Sequence, residues 1–141
     1  MNICIYGAGA IGGFLGTRLA VAGGDVAAIA RGATAQALRT HGWRLETGGV
    51  LLTAPARVAE SPTQLGVQDL VVIAVKGPAL TNIAASMAPL IGPETIVVTA
   101  MNGVPWWFFQ GFGGICEGMQ LKSIDPEGKI ASAIRRLARA R

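Results

Sequence analysis

Apolar residues near the start of the chain alternate between the spacing of strands and the spacing of helices. Short apolar runs at 2–6 and 25–31 are typical of strands. Between them, 11–22 repeats apolar residues at helical spacing and ends at Gly23-Gly24, where glycine commonly stops a helix. We expect one face of this helix to be buried, formed by Ile11, Phe14, Leu15, Leu19 and Ala22.

The next part of the chain has a different pattern. A short helix is predicted over 33–41. Polar and apolar residues then alternate over 43–59 around Gly48-Gly49, which predicts a hairpin or two short strands. Residues 61–66 are rich in turn formers and predict a helical turn or a loop.

Strand-like and helix-like segments resume after this region. The continuous apolar run at 69–76 is typical of a parallel strand covered on both faces. A helix is predicted over 78–91, opening with Pro78, and a further strand over 95–103. Alternating strands and helices with short connections predict an α/β fold, a Rossmann-type doubly wound and mainly parallel sheet with right-handed crossovers.

The pattern weakens beyond the last predicted strand. Aromatics crowd 105–111, loose glycines follow, and 130–141 predicts a basic amphipathic helix. We therefore divide the chain into a Rossmann core at 1–104 and an aromatic, glycine-rich segment with a basic tail at 105–141. The aromatic run favours burial in a core or at a domain interface, and any exposed part of it would favour a homo-oligomer.

Composition places the chain among globular proteins. Its 141 residues suit one domain, 51% are hydrophobic, and 14% are charged, which excludes disorder. No apolar stretch reaches the roughly 18 residues that span a bilayer, so no membrane association is predicted. The start has no basic n-region of a secretion signal, and we expect a cytoplasmic protein.

Charge and cysteine usage exclude two further classes. The net charge of +4 comes from Arg135, Arg136, Arg139 and Arg141, and the rest carries eight basic and eight acidic residues. Nucleic-acid binding would need basic residues spread over a face, so it is not predicted. Two cysteines and one histidine at unrelated positions predict no metal site and no structural disulfide.

Glycines follow the first strand at the spacing of a dinucleotide-binding turn. Gly7, Gly9 and Gly12 form G-x-G-x-x-G between a strand and a helix. The first permits the turn, the second lets a pyrophosphate approach, and the third lets the helix pack closely, while Gly13 and Gly16 are expected to serve helix packing. A glycine turn without a ligand is the alternative. The predicted cofactor-binding loop is Gly7, Ala8, Gly9, Ala10, Ile11 and Gly12.

The end of the second strand distinguishes between dinucleotides. NAD sites usually have an acidic residue there, but this strand ends in Ala30-Arg31-Gly32, and Asp25 lies at its opposite end. Arg31 could pair with a 2′-phosphate and lie on the adenine face, which favours NADP over NAD. The alternative is a solvated charge at a strand end.

Two polar residues lie where later strands are predicted to end. Lys76 closes the run at 69–76, and Asn102 closes the next. Ligands bind at this edge of open α/β sheets. Lys76 could meet a ribose, a phosphate or a substrate carboxylate, and Asn102 a nicotinamide ribose or a substrate hydroxyl. Each could equally be a polar residue that ends a strand.

The motifs together resemble the ketopantoate reductase (2-dehydropantoate 2-reductase) family. The resemblance covers "GAGAIGG" at 7–13, "ARG" at 30–32, "AVK" at 74–76 and "NGV" at 102–104, in that order. It implies NADPH bound on an N-terminal Rossmann domain and reduction of the 2-oxo acid ketopantoate to pantoate in pantothenate biosynthesis. Arg31 would hold the 2′-phosphate. Lys76 and Asn102 would line the cofactor and substrate cleft, with Asn102 also binding substrate.

The sequence departs from the family in two respects. Met101 stands where glutamine is more common, and the chain has about half the family's length. In the family the catalytic lysine and a substrate-binding glutamate lie in a helical C-terminal domain. We expect that domain to be missing, so that these residues include no catalytic group and are inactive alone. A non-catalytic NADP-binding or sensing module and a self-associating fragment are the alternatives.

Overall fold

A computed structural model describes residues 1–134 of the chain. The strands are β1 Asn2–Tyr6, β2 Asp25–Ile29, β3 Trp43–Thr47, β4 Val50–Ala54, β5 Arg57–Ala59, β6 Leu70–Ile73 and β7 Ile96–Thr99. The helices are α1 Ala10–Val21, α2 Gly32–His41, α3 Gly77–Ala84 and α4 Lys129–Ile134. Single 3₁₀ turns occupy Pro62–Gln64, Ala88–Leu90 and Gly114–Cys116.

Five of the strands form one parallel sheet in the order β5-β2-β1-β6-β7. This order reverses on either side of β1, as in a doubly wound Rossmann sheet. The predicted fold class is therefore confirmed. Strands β3 and β4 form a separate antiparallel hairpin, as the pattern around Gly48-Gly49 predicts. The last residues of the region predicted as a hairpin, 43–59, are not part of the hairpin. They form β5, which pairs with β2 in the main sheet.

Helices cover both faces of the sheet. Alternate residues of β1 point to opposite sides, so Ile3 and Ile5 pack with the α1 and α2 side, while Cys4 and Tyr6 pack with α3 and α4. All four are buried, with Cys4 and Ile5 completely inaccessible. The central strand thus has the buried, non-alternating composition expected of a parallel strand.

The buried face of α1 is not the apolar face that the sequence suggests. Ile11 and Phe14 are 57% and 45% exposed, and the buried residues of this helix are Gly12, Gly16 and Thr17. The predicted face was wrong for these two side chains and for the exposed Ala22, while the remaining two, Leu15 and Leu19, are half-buried.

The physical reason lies in the hairpin. Trp43, fully buried at the start of β3, packs against α1, where a Cβ on Gly16 would overlap its indole ring. The indole N–H donates to the carbonyl of Val26, at 3.2 Å. Close backbone approach therefore decides which face of α1 is covered, and the larger side chains of the helix are turned outward. Gly16 serves helix packing as predicted, whereas a Cβ on Gly13 would meet only one atom, at 3.9 Å.

Several predicted elements are longer than the observed ones. The helix predicted over 78–91 ends at Ala84 and is followed by the 3₁₀ turn at Ala88–Leu90. Pro89 in that turn has no N–H, so an α-helix could not have continued through it to residue 91. β2, β6 and β7 also stop earlier than predicted. The chain leaves the sheet there to start α2 and α3, with Arg31 and Lys76 as the N-cap residues.

Part of the segment after 104 returns to the sheet. Trp106, Ile130 and Ile134 are buried in the same cluster as Cys4 and Tyr6. The predicted helix over 130–141 is observed as α4 up to Ile134, and its arginines lie outside the described residues. Asp125, itself buried, accepts the N–H groups of Ile130 and Ala131 and so fixes the start of α4. Within residues 1–134, no helix is long and apolar enough to cross a membrane.

Candidate functional site

A cleft of about 320 Å³ opens at the carboxyl ends of β1 and β2. Four of the predicted cofactor residues line it: Gly7, Ala8, Gly9 and Arg31. Apolar side chains that follow β6 and lie on α3 form part of its wall, among them Val75 and Ile83. The cleft lies where the strand order reverses, the position at which open α/β sheets bind ligands.

The glycine turn leaves no room for a side chain at two of its three glycines. Gly7 has φ +94°, and a Cβ there would lie 2.7 Å from Cγ1 of Val75. A Cβ on Gly12 would overlap the carbonyl oxygen of Gly7, so this glycine brings α1 against the turn. At Gly9 the space is open, with no described atom within 4 Å of a Cβ. The turn therefore combines two tightly packed glycines with one that faces free space, an arrangement that fits a pyrophosphate lying against the backbone.

The start of α1 suits an anion. Gly9 is its N-cap residue, no side chain of the described residues caps it, and its first turn has no acidic residue. The N–H groups of Ala10, Ile11 and Gly12 belong to this first turn, where amides have no partner within a helix. Helices α2 and α3, which start at the same edge of the sheet, also lack acidic residues in their first turns. The edge therefore favours negative charge.

Arg31 is held at the edge of the cleft by the neighbouring strand. Its Nε donates to the carbonyl of Glu60, at 3.3 Å. No hydrogen bond joins its terminal nitrogens to any of the described residues, so they remain available to a ligand. Asp25 lies at the opposite end of β2, as the sequence predicts, within 3.5 Å of Arg57. Thr34, which the sequence reasoning missed, lines the same cleft from the third residue of α2.

The structure also places an acidic residue near the cleft, which the sequence reasoning did not find. Glu60 directly follows β5, and β5 pairs with β2 so that Ala59 lies beside Ile29. Its carboxylate forms an ion pair with Arg39 of α2, at 2.9 Å. A search for an acid at the end of β2 itself cannot detect Glu60, because strand pairing alone brings it there.

The other five predicted residues lie outside the cleft lining: Ala10, Ile11 and Gly12 in the first turn of α1, and Lys76 and Asn102. Lys76 is exposed and is the N-cap residue of α3, one residue after Val75 of the cleft. Asn102 is also exposed and lines a different cavity of about 280 Å³, together with Thr99 and Trp106. The structure therefore brings the glycine turn and Arg31 together and places Asn102 at a neighbouring cavity beyond β7.

The buried cysteine offers no reactive group to the site. Burial raises the pKa of the Cys4 thiol to about 12, against a weaker opposing effect of the Arg57 charge. The thiol stays protonated at neutral pH and acts as a small apolar side chain.

The sequence of this chain matches a known protein family and a curated relative. The sequence profile of the family described as ketopantoate reductase PanE/ApbA matches residues 3–105. A 2-dehydropantoate 2-reductase of Mesorhizobium japonicum is 49% identical over 131 residues, which are 92% of this chain and 40% of that protein. A match of this length extends well beyond residue 105, so the relative shares part of the aromatic and glycine-rich segment.

Solved structures agree with the profile. A crystal structure described as a ketopantoate reductase, from Ralstonia solanacearum, shares 55% identity and a TM-score of 0.89, covering 96% of this chain and 42% of its own. A D-mandelate dehydrogenase solved with NADH and anilino(oxo)acetate shares 27% identity and a TM-score of 0.66, over 74% of this chain and 35% of its own. The chain thus spans about 40% of the length of the Mesorhizobium and Ralstonia solanacearum proteins that it matches. The resemblance seen in the motifs is confirmed, and the chain belongs to the ketopantoate reductase family.

Proposed function

We propose that the protein containing this chain reduces a 2-oxo acid with NADPH, and that these residues supply the cofactor-binding part. Family membership supports the reaction class. The observation that carries the cofactor assignment is the cleft that joins the glycine turn to Arg31. The most similar relatives make ketopantoate the first substrate to test, with pantoate as product and pantothenate synthesis as the route.

Each predicted residue has a role in this proposal. Gly7 to Gly12 hold the pyrophosphate, with the first-turn amides of α1 donating to its oxygens. Arg31 pairs with the 2′-phosphate and lies along the adenine. Lys76 lies at the start of α3 near the same edge, where its ammonium can meet a ribose, a phosphate or the substrate carboxylate. When bound, NADPH supplies the hydride that the carbonyl carbon of the substrate accepts.

The substrate is proposed to lie toward β7. Asn102 is the polar residue there, and its amide can donate to the oxygen of a substrate or of the nicotinamide ribose. The cavity it shares with Thr99 and Trp106 is otherwise largely apolar. The D-mandelate dehydrogenase relative was solved with a different 2-oxo acid, so substrates other than ketopantoate belong in the same assay.

These 141 residues are proposed to bind NADPH but not to catalyse the reduction by themselves. The resemblance assigns the catalytic lysine and a substrate-binding glutamate to a C-terminal domain, and no residue here matches their motifs. Hydride transfer to a carbonyl needs a proton donor beside the oxygen. We therefore expect these residues to bind NADPH without reducing ketopantoate. We also propose that the protein works in the cytoplasm.

Calorimetry with NADPH and NADH tests the proposal. We expect tighter binding of NADPH, and we expect the Arg31→Ala variant to lose about tenfold in NADPH affinity with little change for NADH, since a charge-assisted contact to phosphate contributes roughly 1.5 kcal/mol. Arg57→Ala removes an arginine at the opposite end of β2 and is the matched control. Equal affinities of the unaltered chain for the two cofactors would overturn the assignment.

A non-catalytic NADP-binding module makes the same binding prediction. The two are distinguished by joining this chain to the remaining C-terminal part of a full-length relative. Turnover of ketopantoate by the joined protein supports the reductase, and no turnover supports the binding module.

Self-association is favoured by the exposed apolar side chains of β7, Ile96 and Val98, and by Trp107 nearby. Light scattering of the chain at high concentration tests it.

A further inference from the structure

We propose that Arg39 sets the cofactor preference of the cleft by holding the Glu60 carboxylate away from the ribose. This inference rests on the proposed NADPH binding. It concerns an acidic residue that belongs to the cofactor end of the sheet and would, if free, favour the other dinucleotide.

Glu60 lies beside the residue that is proposed to bind the 2′-phosphate. β5 is paired in register with β2, and the pairing continues to the N–H of Ala30, which donates to the carbonyl of Ala59 at 3.1 Å. The residue directly after β5 is Glu60, whose carbonyl accepts the Nε–H of Arg31. The two residues therefore meet directly, although 29 positions separate them in the sequence.

A free carboxylate at this place would act against NADPH in two ways. Acidic groups at the end of the second strand accept hydrogen bonds from the ribose hydroxyls of NAD. They also repel a 2′-phosphate and compete with it for a guanidinium. An unengaged Glu60 would thus favour NADH and disfavour NADPH, the reverse of what Arg31 is proposed to do.

The ion pair with Arg39 weakens both effects, because it holds the Glu60 carboxylate and neutralises its charge. Nη2 of Arg39, in the last turn of α2, lies 2.9 Å from Oε1 of Glu60 and draws the carboxylate toward the helix. Both side chains are about half exposed, so the pair neutralises charge without being buried. The carboxylate is then engaged by a different arginine from the one facing the cleft, and within residues 1–134 the side chain of Arg31 hydrogen-bonds to the backbone carbonyl of Glu60 and not to its carboxylate.

A local turn fixes that carbonyl. Oε1 of Gln64 accepts the N–H groups of Glu60 and Ser61, at 2.8 and 3.1 Å, and so closes the turn that follows β5. The backbone of Glu60 is therefore a positioning element for Arg31, while its side chain is held by Arg39. The same residue orients the proposed phosphate ligand and is prevented from opposing it.

The test is a double-mutant cycle read as the ratio of NADH to NADPH dissociation constants. Arg39→Met keeps the aliphatic stem and removes the charge. We expect it to weaken NADPH binding about threefold to tenfold at low salt and to leave NADH binding unchanged or tighter, because it frees an exposed charge near a phosphate. The change should shrink as ionic strength rises.

Glu60→Gln supplies the second arm of the cycle. It removes the charge but keeps the backbone contact to Arg31, so we expect NADPH preference to be retained, and Arg39→Met to have no further effect in that background. Arg57→Met is the matched control, because it breaks the other arginine–carboxylate pair of this region, at the far end of β2 and β5. It should leave the ratio unchanged.

The outcomes separate this inference from the proposed function. If the unaltered chain prefers NADPH, and Arg31→Ala abolishes that preference while Arg39→Met leaves it intact, the function stands and the inference fails. The inference also fails if Arg39→Met has the same effect with Gln at position 60. If the unaltered chain shows no preference for NADPH, the proposed cofactor itself is wrong. Thermal melts of each variant show whether an altered ratio comes from unfolding.

Discussion

Two groups of strands in the parallel sheet differ in how completely their side chains are covered: β1 and β2 near the cleft, and β7 at the opposite edge of the sheet. On the side of β1 and β2, apolar residues such as Ile5 and Ala28 are fully buried, since helices and the hairpin cover both faces. On the other side, Ile96 and Val98 of β7 are 63% and 44% exposed. The apolar content of the strands is similar, so hydrophobicity alone does not decide burial.

The two regions also differ in their neighbouring strands. β2 has β5 beside it, whereas β7 is the last strand of the sheet in the described residues. An edge strand leaves backbone N–H and C=O groups free to pair. Phe108, Phe109 and Phe112 nearby pack on one another, with ring centroids 5.1 to 5.8 Å apart. The cofactor side is thus fixed by its own contacts, and the β7 side presents apolar surface.

The two cysteines differ in burial. Cys4 is buried in β1, and Cys116 is half-buried in the 3₁₀ turn of the later segment. The raised pKa of Cys4 lowers its thiolate fraction by about a thousandfold at neutral pH, so we expect a thiol reagent to label Cys116 first and Cys4 only on unfolding. Mass spectrometry of timed samples measures this. Equal rates would mean that β1 is accessible in the native state.

The same thiol predicts a pH dependence of stability. Its folded pKa of about 12 lies above the ordinary value of 9.0, so the folded state retains the proton longer than the unfolded chain does. The stabilisation is complete below pH 9 and is lost as pH rises toward 12. Urea unfolding between pH 8 and 10.5 should show this decline, and Cys4→Ala should flatten it. An identical slope in both proteins would contradict the assignment.

Isoleucine-to-threonine changes compare burial directly. Ile73 of β6 is fully buried, whereas Ile96, on the neighbouring strand β7 beside Leu70, is 63% exposed. Ile73→Thr places a hydroxyl in the core and should lower the free energy of unfolding by about 2–3 kcal/mol. Ile96→Thr should change it by less than about 0.5 kcal/mol. Denaturant titration measures both, and similar losses would show that β7 is covered.

Adjacent glycines of α1 test the cofactor turn. A Cβ on Gly12 overlaps a backbone oxygen, so Gly12→Ala should cost about 1–2 kcal/mol even after the helix propensity gained, and should weaken NADPH binding. Gly13→Ala adds its methyl group in open space and should be neutral or slightly stabilising. If the two variants unfold at the same denaturant concentration, the tight packing of the turn is refuted.

The smallest expected change in stability is at the open edge. Val98→Lys places a charge on an exposed position of β7 and should leave the free energy of unfolding within about 0.5 kcal/mol of the original. It should reduce self-association, because a lysine on an edge opposes pairing with another chain. Light scattering at high concentration detects this. Unaltered association would place the contact elsewhere.

The sequence predicted the elements best where local signals agree. The strand at 2–6, the glycine turn and the end of α2 at His41 follow from residues close in the chain. The apolar face of α1 was predicted wrongly, because Trp43 from a distant hairpin selects the glycine face instead. Pro89 does carry a local signal, and weighting it more heavily would have ended the predicted helix before residue 89, although not as early as Ala84.

The site shows the same limit. Gly7 and Arg31 were predicted from motifs, and the structure brings them to one cleft. Glu60 and its pairing with Arg39 could not be predicted, since both depend on which strand lies beside β2. Assignment of the ligands themselves remains a prediction for the binding experiments.

The strand order has a consequence for synthesis. β1 lies at the centre of the sheet, yet one of its partners, β6, comes 67 residues later, where the N–H of Asn2 meets the carboxylate of Asp69. At about 5–20 residues per second, a ribosome needs roughly 3 to 13 seconds to supply that partner. Through that interval the central strand of the sheet has a bare edge in the nascent chain, and we expect chaperones to hold it there.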